Sequence, residues 1–146
     1  MDIIDILRAE HRLLWKMMGA VDLWLTEPAT PEALRERAAM LAVALEDHAA
    51  REERLVLDPL RTCSPEAHRI VDMMEVVHDE VRGLFEELAD STRDPHEKLW
   101  TFLQLTDEHF VKEEEEVFLL ARARLGPVRL AELTAQDEPA QSLFKK

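Results

Sequence analysis

One cysteine, Cys63, is the only thiol in the chain, so no internal disulfide can form. Tyrosine is absent, glycine occurs three times in 146 residues, and β-branched residues are sparse, which removes much of what strands and tight hairpins are built from. No apolar run approaches the roughly 20 residues that a membrane span requires. The N-terminal residues Asp2 and Asp5 put acid where a secretory signal carries base, and this predicts a cytoplasmic protein. Cations are also in short supply. With 18 Lys and Arg against 31 Asp and Glu, the formal charge of -13 repels phosphate backbones and anionic lipid heads, so neither nucleic acid nor a membrane is expected as a partner.

Leu, Ala, Glu, Arg and Met are plentiful, and all of them favour helix. A chain of this length with 47% hydrophobic residues can bury one ordinary core, which predicts a single all-α domain. The apolar positions recur in steps of three and four. In the first helix they run Ile4, Leu7, Leu14, Met18, Val21, Leu25, and His11 fills the one missing place. Pro28 and Pro31 break the chain, Thr30 can cap, and the stripe resumes as Leu34, Ala38, Leu41, Leu45, His48, Glu52, Leu55. A second break is expected at Asp58-Pro59 and Cys63 to Glu66, where Ser64 suits an N-cap and Pro65 the first helical position. The third stripe is Val71, Met74, His78, Val81, Phe85, Leu88. After a break near Ser91 to Pro95, with Asp94 as the expected cap, the fourth reads Leu99, Phe102, Leu105, His109, Glu113, Val117, Leu120 and stops at Gly126-Pro127.

Four helices with short breaks predict an up-down-up-down antiparallel four-helix bundle over residues 1–125, with 126–146 as a C-terminal tail that adds a short helix and frays at its polar close. The halves repeat one pattern. His11 and then His48-x-x-x-Glu52-Glu53 is followed by His78 and then His109-x-x-x-Glu113-Glu114. Counted from the ends of the bundle, His11 and His48 fall at one height, and His78 and His109 at a height about a turn deeper. Glu52 and Glu113 each follow their histidine by one turn and are displaced into the space between the pairs, where they can bridge two metals. Two ionised carboxylates buried alone cost several kcal/mol each, and no Lys or Arg shares their stripes. Two divalent cations supply the missing charge, and imidazole and carboxylate are good ligands for them. Each ion would receive two nitrogens and two oxygens with positions left for a small molecule. That set suits iron best, with manganese or zinc as the other choices, since a closed zinc site more often includes cysteine.

The pattern His11, His48-x-x-x-Glu52, His78, His109-x-x-x-Glu113 resembles the hemerythrin-like, or HHE cation-binding, domain over residues 1 to about 125. The resemblance implies a carboxylate-bridged, non-haem di-iron centre, with His11 and His48 on one iron, His78 and His109 on the other, and Glu52 and Glu113 between them. It implies handling of oxygen, nitric oxide, peroxide or iron, by sensing or buffering or by turnover as a di-iron oxidoreductase. Oxygen-carrying members have a further histidine one turn before the one matching His78, and here that position is Met74. The centre is thus more similar to the four-histidine, two-glutamate site of the iron-sulfur cluster repair relatives, although the cysteine motif of their additional N-terminal domain is absent from this sequence.

Other assignments compete. A ferritin-like bundle needs two Glu-x-x-His motifs, and only Glu75-Val76-Val77-His78 is present. A metal-free helical interaction module whose histidines are vestigial is the reading from another class. Glu75 is expected beside the stripe, solvated or supporting a ligand, His68 and His96 are expected at the surface, and Glu10, Glu53, Glu108 and Glu114 to Glu116 are expected to be exposed or weakly paired. Trp15, Trp24, Trp100 and the Met17, Met18, Met73, Met74 group read as packing, with exposed members available for a homodimer face.

Overall fold

The structure, a computed structural model, describes residues 1–26, 29–90, 92 and 94–137, apart from the Trp24 side chain. Pro28, Ser91 and the expected frayed close of the tail over 138–146 lie outside the described residues, as does the packing expected of Trp24. The described residues form helices α1 (Ile3–Thr26), α2 (Pro31–Glu52), α3 (Asp58–Arg61), α4 (Pro65–Leu88), α5 (His96–Lys112) and α6 (Phe118–Ala135), with no strand among them. Two π-helical turns join these elements: π1 (Glu53–Leu57) runs between α2 and α3, and π2 (Glu113–Val117) between α5 and α6. The rods of the bundle are therefore α1, α2 with α3, α4, and α5 with α6. The first packs on the second and fourth, and the third on those same two, giving the up-down-up-down bundle. No described helix is long and apolar enough to cross a membrane.

The caps follow from short polar side chains. The Ala33 N–H donates to Thr30 Oγ1 at 3.1 Å and the Ala67 N–H to Ser64 Oγ at 3.1 Å, satisfying first-turn donors that α2 and α4 would otherwise leave open. Asp94 acts one residue before the Pro95 cap position, where Oδ1 accepts the His96 N–H at 3.1 Å. The break expected at Asp58-Pro59 is displaced. The chain stays helical to Arg61, because π1 ends one helical register and leaves Pro59 in the first turn of the next, where its missing N–H is no loss.

Gly126, with φ 77°, interrupts α6, and Pro127 restarts it. The turns that follow are packed against the bundle. Leu130 and Leu133 are buried with Ile3, Ile4 and Leu7, and the Ile3 N–H donates to Thr134 Oγ1 at 2.8 Å. The apolar core falls into two parts. One, around Ile4, Leu55, Leu60, Val71, Met74 and Phe118, fills the end where α6 returns; the other, around Leu14, Leu41, Leu45, Leu99 and Phe102, fills the opposite end. His11 lies between Leu7 and Leu14, and His48 with Glu52 between Leu45 and Leu55, so the polar residues form a layer between two dry ones.

Two expected core positions shift. Leu105 is only partly buried and Thr106 is buried in its place, since a step of three back from His109 lands on the threonine. Leu120 is partly buried while Phe118 and Ala121 are buried, because π2 inserts one residue and advances the core-facing register. Trp15 packs on His11, whereas Trp100 is 55% exposed and packs on no core. Met18 and Met74 are buried, Met17 is partly so, and Met73 points outward.

Candidate metal centre

The structure brings all six residues together. The His11 and His48 rings face each other at 4.8 Å between centroids, and so do His78 and His109. Each glutamate spans the two pairs. Glu52 lies 3.5 Å from His48 Nε2 and 3.5 Å from His78 Nε2, while Glu113 lies 3.4 Å from His11 Nε2 and 3.2 Å from His109 Nε2. Two groups of four result, His11, His48, Glu52, Glu113 and Glu52, His78, His109, Glu113, with the donor atoms of each group within 4.8 Å of one another. The shared members are the two carboxylates.

These donors are oriented but not satisfied. Both glutamates are fully buried, yet none of their four oxygens has a hydrogen-bond partner, and neither has Nε2 of His11, His48 or His109. Folded proteins rarely leave so many buried polar atoms unpaired. Among the described residues, the ion pairs of both carboxylates are with histidines and not with lysine or arginine, in keeping with the bare stripes of the sequence. An ion in each group supplies partners for the whole set at once, so the residues fit two cations. The donors are all nitrogen and oxygen, since Cys63 is exposed and its thiol reaches only the Pro59 carbonyl, at 3.5 Å.

The titration behaviour carries the same message. Burial pulls the His109 ring down to about 3, and burial with the neighbouring His48 pulls His11 down to about 4, so both are neutral and available as ligands at neutral pH. Burial also opposes charge on His48, but the pairing with Glu10 and the nearby Glu52 carboxylate outweigh it and raise that ring to about 9. Burial and the adjacent Glu52 charge raise Glu113 far above the ordinary carboxylate range. Burial acts on Glu52 too, but the proton held on Glu113 and the His48 ring together lower it. Without an ion the layer keeps protons on His48 and Glu113, in the places where cations would stand.

Three rings are held from behind. His11 Nδ1 pairs with Glu114 at 3.0 Å, His48 Nδ1 with Glu10 at 3.3 Å, and His78 Nδ1 with Glu53 at 3.1 Å. Each contact puts the ring proton on Nδ1 and turns Nε2 inward, the arrangement that orients imidazole ligands generally. The carboxylates are held in turn. Arg51 pairs with Glu10 and reaches Asp137 at 3.1 Å, Arg82 bridges Glu53 at 3.1 Å and Glu46 at 2.9 Å, and Arg8 lies 3.3 Å from Glu114. Glu10, Glu53 and Glu114, expected to be exposed or weakly paired, are instead partly buried and paired with the clustered rings. Each is the sequence neighbour of one of the six clustered residues and, lying about 100° further round its helix, points across a seam to a clustered ring on another helix. Acid beside ligand in Glu10-His11, Glu52-Glu53 and Glu113-Glu114 was the available signal.

The remaining candidates lie elsewhere. Glu75 pairs with Arg61 at 2.6 Å, and the His68 and His96 side chains are 55% and 41% exposed. Met74 is buried in the apolar layer below His78. Glu108, Glu115 and Glu116 are exposed.

No curated protein and no solved structure matches the chain. A family model described as the hemerythrin HHE cation binding domain matches residues 2–121, a span that holds all six clustered side chains. The chain thus belongs to the hemerythrin HHE cation-binding domain family.

Proposed function

We propose that this chain is a non-haem di-iron binding protein that senses or handles a small ligand, oxygen, nitric oxide or peroxide, or iron itself. His11 and His48 would hold one ion, His78 and His109 the other, and Glu52 and Glu113 would bridge them. The observation that carries this reading is the set of buried, mostly unpaired donors in two groups of four that share both carboxylates. Iron is favoured over a structural zinc by the absence of thiolate and by a donor count that leaves ligand positions open. Bound iron would supply one-electron redox chemistry and affinity for small ligands. The chain itself aims the rings through Glu10, Glu53 and Glu114, and it keeps bulk water out with the apolar layers on either side. Phe110, stacked on His11 at 4.1 Å, closes part of that wall.

Turnover as a di-iron oxidoreductase is the second reading. A small cavity against His48, His78 and His109 favours it, since it gives a molecule of few atoms a place beside the centre. A metal-free interaction module is disfavoured by the cost of the unpaired layer. The experiment is anaerobic loading with ferrous iron, followed by absorption spectra on adding oxygen, peroxide and nitric oxide separately. The reading expects a spectral response to at least one of them from loaded protein, and catalytic consumption would select the oxidoreductase. Loaded protein inert to all three would contradict a role in handling small ligands.

A further inference from the structure

His109 breaks the pattern of its three companions. Its Nδ1 is buried without a partner, whereas the other three rings each lean on a carboxylate. The internal repeat explains the gap. His11 matches His78 and His48 matches His109, so Glu10, which serves His48, corresponds to Val77 in the second half. The same comparison sets Thr106 against Leu45. Where the first half has acid and then leucine, the second has valine and then a hydroxyl.

That hydroxyl is also unpaired. Thr106 is 2% exposed, and Oγ1 has no partner, although a helical threonine can bond the carbonyl one turn back. Thr106 and His109, one turn apart on α5, both line a partly open cavity that Ala49, Val81 and Phe85 also line from α2 and α4. At its rim Arg82 pairs with Glu46 across those two helices, at 2.9 and 3.0 Å. The cavity gives the centres of water-sized molecules about 30 Å³. A single water needs roughly 10–15 Å³ on that measure, so a molecule of two or three heavy atoms fits.

We propose that this cavity is a binding subsite for a small hydrogen-bonding ligand of two or three heavy atoms, held by the Thr106 hydroxyl and the His109 ring where the other rings have a carboxylate. Of its other polar lining groups, Arg82 pairs with Glu46, and His48 Nδ1 and His78 Nδ1 pair with Glu10 and Glu53, whereas Thr106 Oγ1 and His109 Nδ1 have no partner. The ligand exchanges with water and sits against Thr106 and His109. Neither partner depends on an ion, so the subsite stands or falls separately from the di-iron reading.

Azide is the probe, titrated into the full chain in both metal-free and zinc-loaded forms, with the His109 ring resonances followed by NMR. Wild type and Thr106→Ser are expected to shift saturably in both forms. Thr106→Val, which keeps the volume and removes the hydroxyl, is expected to bind about tenfold more weakly. Val77→Glu, which restores the missing carboxylate, is expected to abolish the shift. A response seen only with zinc present would place azide on the ion and overturn the subsite. So would no response in folded wild type, or equal affinity in wild type and Thr106→Val.

Discussion

An imidazole serves as a ligand only when its proton sits on the far nitrogen and its ring is aimed, and here Glu114, Glu10 and Glu53 do both for His11, His48 and His78. Removing such a partner generally costs roughly 10- to 100-fold in metal affinity, so Glu53→Ala is expected to weaken binding by that factor without changing the number of sites. Competition with a chelator measures it, and unchanged affinity would mean that Glu53 serves only Arg82. His68→Ala and His96→Ala should retain two ions per chain, while His109→Ala loses at least one; elemental analysis after identical loading compares them. The six clustered residues were legible because each breaks an apolar stripe at helical spacing. Their carboxylate partners were not, because a residue one place off the stripe looks solvated until the neighbouring helix is in position. Hydropathy favours Leu105 for the core, whereas helical spacing back from His109 favours Thr106.

At the scale of the element, both glutamates shared by the two groups of four sit at the edge of a π turn. Glu53 O accepts from the Asp58 N–H and Glu113 O from the Phe118 N–H, the wider i to i+5 bond in each case. A π turn adds one residue without adding a turn, so each helix re-enters the core one position later, with Leu57 and Leu60 buried after π1 and Phe118 and Ala121 after π2. Nothing in residue periodicity marks that insertion, which is why periodicity alone continues the fourth stripe through Leu120 and puts a break at Asp58-Pro59. The helices, their caps at Thr30 and Ser64, and the interruption at Gly126-Pro127 were legible because each rests on local backbone chemistry. Deleting Glu116, an exposed residue of π2, should restore an α-helical register and turn Phe118 and Ala121 off the core. Loss of metal and a lowered unfolding midpoint are expected for the deletion but not for Glu116→Ala. Equal behaviour of the two in metal analysis and thermal melts would show that the π turn is dispensable.

For the molecule as a whole, the buried layer couples metal, protons and stability. In metal-free protein, His11 and His109 titrate at about 4 and about 3, below the ordinary 6.5, so the unfolded chain takes up their protons first and stability falls as pH drops below about 6.5. His48 titrates at about 9, above its ordinary value, so its contribution is full below about 6.5 and is lost as pH rises through 9. The raised Glu113 acts in the same direction as His48 above the ordinary carboxylate range, and near pH 5 to 6 the two depressed histidines outweigh it. Metal-free protein should therefore be most stable near pH 6.5, as read by unfolding midpoints in chelator across pH. A midpoint rising steadily to pH 9 would contradict the protonated layer. Loading at neutral pH should release about two protons per chain, from His48 and Glu113, and loaded protein should melt higher. The central claim is that Glu52 and Glu113 are shared ligands of two ions, and the metal count of matched variants tests it most directly. Wild type and Glu115→Ala should each hold two ions per chain after anaerobic iron loading, and Glu113→Ala fewer. Two ions per chain in Glu113→Ala would contradict the account.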